Sequence, residues 1–225
     1  MPTPPLLVPE IAAGSWADDE PLRDACDAAI GQALSVEPDL VIVVGCASAT
    51  GRTDGGWDWR GFGVALPEQA RTHQLPLALA IGAWLLDRQS SSPPRRYVGV
   101  SPQLATPECA ELGRSWADSE ERVVVLACAD GTARRSEKAP GYYDPAAEPW
   151  DAAAAAALSA ADTDALLRLD PDTADALLAT GRAPWQVLAG AAGAGTWNPE
   201  LTYVGAPYGV AYKVGTWLRD DRDDA

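Results

Sequence analysis

One histidine, His73, is all the imidazole this chain of 225 residues carries, and that bounds the chemistry open to it. A Ser–His or Cys–His pair, an imidazole acid–base and a histidine-rich metal centre each need at least one ring in the right place. No Gly-x-Ser-x-Gly elbow, P-loop or Gly-x-Gly-x-x-Gly occurs, so neither a nucleophile elbow nor a nucleotide cradle is written in the sequence. The four cysteines, Cys26, Cys46, Cys109 and Cys128, make no Cys-x-x-Cys pair and read as reduced packing residues. Acidic side chains are numerous, but no loop spaces them as a dedicated Mg²⁺ or Ca²⁺ site does.

What remains is one loop. Behind the β-branched run "RVVVL" comes "ACADGTARRSEKAPG", Ala127 to Gly141. Asp130, at the end of a strand, is placed to accept a hydrogen bond from a ligand or to orient a neighbour. Alternatively, Asp130 and Gly131 make a turn whose carboxylate caps backbone N–H groups. Arg134, Arg135 and Lys138 form either an anion pocket or a salt-bridge network with Glu137. Tyr142 and Tyr143 offer an aromatic wall, or pack on the helix that follows. Trp57 and Trp59 in "DGGWDWRGFG" either line a cleft or pack on an edge strand or a second subunit. Tyr208 in "APYGV" is open in the same way, and His73 reads as a surface residue ahead of a buried helix.

The elements that must position these residues follow from hydrophobic period. "LVIVVG" (40–45), "RYVGVS" (96–101) and "RVVVLACAD" (122–130) are unbroken apolar runs, as strands covered on both faces should be. "GFGVAL" (61–66) reads as an edge strand, and "TYVGAPYGVAYKVGTW" (202–217) as a hairpin completing or extending the sheet. Leu22, Cys26, Ala29, Ile30, Ala33 and Leu34 mark one face of a helix. "PLALAIGAWLLDR" (76–88) is apolar all round and predicts a buried helix. Thr106 followed by Pro107 predicts a capped start to another. "EPWDAAAAAALSA", the segment from Asp170 and "APWQVLAGAA" add more helices. Strands alternating with helices predict an α/β fold: one domain over residues 1–218, its mostly parallel or mixed sheet flanked by helices on both faces. Residues 219–225 read as an acidic, disordered tail. Ligands in such folds bind where strands end, here at "GCASATGRTDGG" and "DGTARRSEKAPG".

A net charge of −15 argues against nucleic acid and against anionic membranes as partners. No apolar run approaches the roughly 20 residues of a membrane helix, and the N-terminus lacks a signal peptide's pattern, so the cytoplasm is the expected location. Two lysines among 17 basic residues and abundant alanine fit a high-GC bacterial genome. A homodimer is the expectation on base rates.

"PPLLVPE" (4–10), "DPAAEPWDAAAAAAL" (144–158), "APWQVLAGA" (183–191) and "APYGVAYKVGTW" (206–217) stand in an order that resembles the class III extradiol ring-cleavage dioxygenase catalytic B-subunit-like superfamily, which also holds the MEMO-like proteins. The resemblance implies an Fe(II) centre of two histidines and a carboxylate, with a further catalytic histidine. Thr3 stands at the first ligand histidine's place, and the resemblance implies a strand leading into it. Cys46, Ala47 and Ser48 stand at the second ligand's place. The catalytic motif reads Ala129 to Ala133, with Asp130 kept and Ala133 where the histidine belongs. Thr180, Gly181 and Arg182 stand where the carboxylate ligand is implied. His73 falls at none of these places. The expectation is a diverged protein that has lost the iron ligands: no metal, no cofactor, and an unidentified small molecule bound in a cleft of Thr3, Cys46, Ser48, Asp130, Thr132, Arg134, Arg135 and Tyr208. Asp130 is the candidate catalytic residue. Alternatives are an enzyme rebuilt around Asp130, with Arg134 and Cys46 or His73, and a protein-interaction module.

Overall fold

The computed structural model describes residues 1–12, 19–64, 73–117 and 122–219. A proline-rich start makes a 3₁₀ turn at Pro5–Leu7 and a short α1 (Pro9–Ala12). Helix α2 (Glu20–Leu34) buries Leu22, Cys26, Ala29, Ile30 and Leu34 on one face, the stripe its periodicity predicts. Strand β1 (Leu40–Cys46) is buried along all but its last residue. Then come β2 (Gly51–Thr53), α3 (Leu77–Asp87), β3 (Arg95–Val100), α4 (Thr106–Ala117) and β4 (Val123–Cys128). Four helices follow, α5 (Ala147–Ser159), α6 (Thr163–Leu167), α7 (Pro171–Ala176) and α8 (Arg182–Ala192), before β5 (Trp197–Gly205) and β6 (Tyr212–Arg219).

The main sheet has the order β2-β3-β1-β4. β1 runs parallel to both β3 and β4, and β2 lies antiparallel on β3. Alternation along the strands sends Val41, Val43, Leu126 and Cys128 to a core shared with α2 and α3. Val44, Val100 and Ala127 point to the opposite face, where α4 and α8 cover them. Two coated faces are why these strands read as continuous apolar runs. On that second face α4 and α8 approach backbone to backbone. A Cβ at Gly113 would collide with the Val187 carbonyl, and one at Gly190 with the Ala110 carbonyl. The fold is thus the mixed α/β sandwich expected. Among the described residues no helix is long and apolar enough to cross a membrane.

Four local expectations are corrected. The Gly-x-Gly of residues 61–63 is no strand: Arg60–Phe62 is a 3₁₀ turn closed by Gly63 at φ 80, a left-handed conformation that glycine adopts freely, while Ala65 and Leu66 lie outside the described residues. β2 stands where only a loop was expected. Thr106 is the first residue inside α4, not its cap; the Ala105 N–H instead donates to Glu108 Oε2 at 3.2 Å. Lastly, β5 and β6 pair only with each other and do not extend the main sheet. Of the expected tail, Arg219 ends β6 and residues 220–225 lie outside the described set.

Candidate functional site

Asp130 lies just past the end of β4, and the chain's first residues reach it. The Met1 nitrogen donates to the Ala127 carbonyl at 2.6 Å, and the Ala129 N–H donates to the Met1 carbonyl at 2.7 Å. That pairing carries Thr3 to the carboxylate. The Thr3 N–H donates to Asp130 Oδ1 at 2.7 Å and the Thr3 hydroxyl to Oδ2 at 2.6 Å. The Asp130 carbonyl accepts from the Gly181 N–H at 2.7 Å, tying the same residue to the start of α8. Burial pushes the Asp130 carboxyl above the usual carboxylate range; the Thr3 hydrogen bonds, the Met1 amino group and the Lys213 charge pull it down without cancelling that push.

Cys46, the last residue of β1, is half-buried, and Ser48 is exposed in the connection to β2. Burial and then the Asp130 charge raise the Cys46 thiol, while Arg182 draws it down. Such a thiol is not an activated nucleophile.

A second carboxylate, Asp151 on α5, anchors an internal cluster. Lys213 Nζ donates to Asp151 Oδ1 at 2.8 Å, with the two side chains 2% and 4% exposed. The Thr132 N–H meets Oδ1 at 3.1 Å and its hydroxyl meets Oδ2 at 2.6 Å. Arg135 approaches Oδ2 at 3.4 Å and bridges to Glu148 at 3.2 Å. Lys213 also sits 5.3 Å above the Trp185 ring. Burial lowers the Lys213 ammonium's pKa against the raising effect of Asp151. A Cβ at Gly131 would strike Asp151 Oδ1 and lie 2.7 Å from Lys213 Nζ, so only glycine lets the strand end lie against the ion pair.

Two residues expected in the cleft, Thr132 and Arg135, belong to this cluster. Thr132 is wholly buried and holds Asp151, and Arg135 is committed to Asp151 and Glu148, not to Glu137. Arg134 is half-buried, its backbone carbonyl taken by the Asp144 N–H at 3.0 Å. Tyr208 packs, partly buried, on the core that holds Tyr212. Tyr142 and Tyr143 are 76% and 54% exposed. Trp57 and Trp59 stack at 5.5 Å, with Trp59 in the core and the Trp57 indole N–H on Asp87 at 2.8 Å, so they are packing residues. His73 is exposed, and its carbonyl accepts from the Gly56 N–H.

The side chains at the places implied for iron do not fit a two-histidine, one-carboxylate set. Thr3 offers a hydroxyl already given to Asp130, and Cys46 a thiol. Arg182 puts a buried guanidinium where the carboxylate is implied, donating to the Leu104 carbonyl at 2.6 Å, to Gln186 Oε1 at 3.0 Å and to the Pro102 carbonyl. Among the described residues no three His, Cys, Asp or Glu side chains converge as metal donors.

Sequence reasoning missed Asp151, Lys213 and Arg182 as the buried polar framework. Lys213 carried a signal: one of two lysines, it interrupts the apolar strand "VAYKVG", where a charge needs a buried partner. No protein-family model matches this chain, and a search of the curated proteins returned no match.

Proposed function

We propose that this protein is a diverged extradiol-dioxygenase-fold protein of the bacterial cytoplasm that binds a small molecule without iron, at the ends of β1 and β4. The Thr3–Asp130 pair carries this reading. An ionised carboxylate has about four lone-pair sites, and Thr3 fills two of them. The remaining acceptor capacity suits a hydroxyl or amino group on the ligand. No described cation makes an ion pair with Asp130, and its raised pKa readies it to share a proton with such a donor. Cys46 and exposed Ser48 border the same strand ends.

The test is elemental analysis of the purified chain, followed by a thermal-shift screen of small phenols, catechols and hydroxy acids. The expected result is iron well below one equivalent, with a stabilising compound whose effect is lost in Asp130→Ala. Iron near one equivalent together with ring cleavage of a catechol would overturn the proposal. So would a stabilising compound indifferent to Asp130→Ala, which would move the site elsewhere.

A further inference from the structure

Four described residues other than glycine hold a left-handed backbone: Glu37, Tyr142, Ala161 and Leu178. That conformation crowds the Cβ of an L-residue and is costly for a bulky side chain. Leu178 follows α7. Its N–H donates to the Asp175 carbonyl at 3.0 Å and the Ala179 N–H to the Ala174 carbonyl at 2.8 Å, the paired bonds of a helix cap whose left-handed place glycine or asparagine usually takes. Leucine stands there instead, at φ 56 and 43% exposed. A leucine stabilises a fold through burial, so one left this open contributes little to offset its strain. Tyr142, at φ 59 and more exposed still, repeats the pattern.

The two residues are neighbours. A Cβ on Gly141 would lie 2.6 Å from Leu178 Cδ1 and 2.8 Å from Arg134 Cγ, so the leucine and arginine side chains meet over the residue that precedes Tyr142. Backbone bonds fix the frame: the Ala133 N–H donates to the Leu177 carbonyl at 3.1 Å, the Gly141 N–H to the Ala133 carbonyl at 3.0 Å and the Asp144 N–H to the Arg134 carbonyl at 3.0 Å. Arg134 Nε is buried without a hydrogen-bond acceptor, and such orphan donors are rare in native structures. Arg135 is committed to Asp151 and Glu148. Among the described residues Arg134 and exposed Lys138 make no ion pair.

We propose that Arg134, Lys138, Tyr142, Tyr143 and Leu178 form a docking surface for a peptide segment of a partner protein, one that sets a single carboxylate beside an apolar side chain. The carboxylate meets the Arg134 guanidinium, whose Nε lacks an acceptor, and the apolar side chain lies against Leu178 and the Tyr142 ring. Tyrosine and arginine are residue types that dominate binding energy at protein interfaces, and a surface already held in its bound shape loses little entropy on association. The chain's net charge of −15 repels a run of acids, so the segment carries one carboxylate and not a polyacidic tract. The surface owes nothing to Asp130 and stands whether or not a small molecule binds there.

The test selects a random peptide library displayed on phage against the full chain, then measures the best synthetic peptide by fluorescence polarisation. Selected sequences should place one Asp or Glu within a few residues of Leu, Ile, Phe or Trp. Arg134→Ala, Leu178→Gly and exchange of the peptide's acid for its amide should each weaken binding by about tenfold or more. Leu178→Gly should also hold or raise Tm, because glycine relaxes the left-handed position, so its loss of binding is not a loss of fold. A library without acid–apolar enrichment, or a peptide indifferent to Arg134→Ala and Leu178→Gly, overturns the proposal. So does a fall in Tm on Leu178→Gly, which makes the leucine a packing residue. Concentration-dependent dimerisation in sedimentation that Leu178→Gly abolishes gives the surface to a second copy of this chain and overturns the partner segment.

Discussion

Asp130 and Asp151 both feel the Lys213 charge, but only Asp151 touches it. Asp151 has a lysine, an arginine and both donors of Thr132, so its charge is answered inside the protein. Among the described residues the Asp130 side chain accepts only from the neutral donors of Thr3, and burial outweighs them. The two carboxylates flank one short loop and do opposite work. Asp151 welds α5, the Gly131–Thr132 turn and β6 together. Asp130 keeps unanswered acceptor capacity at a strand end, which is why the proposed site is placed there and not at the richer charge cluster.

Removing Asp151 should give the largest effect. Asp151→Ala leaves the Lys213 ammonium buried and unpaired, which should cost about 3–5 kcal/mol in urea unfolding. The double variant Asp151→Leu/Lys213→Met should recover most of that loss, because an apolar pair needs no compensation. If the single change is harmless, the contrast between the two carboxylates is void.

Thr3→Val should cost about 1.5–3 kcal/mol, the worth of a hydroxyl hydrogen bond to a charged group, and leave the backbone donor in place. A negligible loss would mean that Thr3 does not hold Asp130 in solution.

Titration sharpens the contrast further. The folded Asp130 carboxyl lies above its unfolded value, so the native state binds more protons and stability falls as pH rises from the unfolded pKa through the folded one. Asp130→Asn should remove that slope: the variant gains on the wild type between acid and neutral pH, and the two converge at low pH. A difference in Tm that is flat with pH would contradict the assignment.

The smallest effect concerns thiols. Half-buried Cys46 should be labelled first by an aqueous reagent in the native protein. Cys26 and Cys128, whose thiols burial pushes up to about 12, should react only on unfolding. Labelling followed by peptide mass mapping reads the order.

Legibility in the sequence followed burial. β1 and β4, coated on both faces, wrote themselves as unbroken β-branched runs, and α3 as a helix apolar on every side. β2 left no such mark, because Gly51–Thr53 is a strand only through pairing with β3. The Gly-Phe-Gly stretch mimicked strand alternation but serves a turn. Asp130 stood out as a carboxylate at a strand end, yet nothing local distinguished an aspartate that caps a turn from one held by a residue 127 positions away.

Composition and period thus determined the strands coated on both faces and the longer helices, and left one imidazole to the whole chain, since those depend on residue type and spacing. Which carboxylate meets a buried lysine, and whether the hairpin joins the main sheet, were decided by tertiary packing. Both depend on long-range distances that only the folded chain creates.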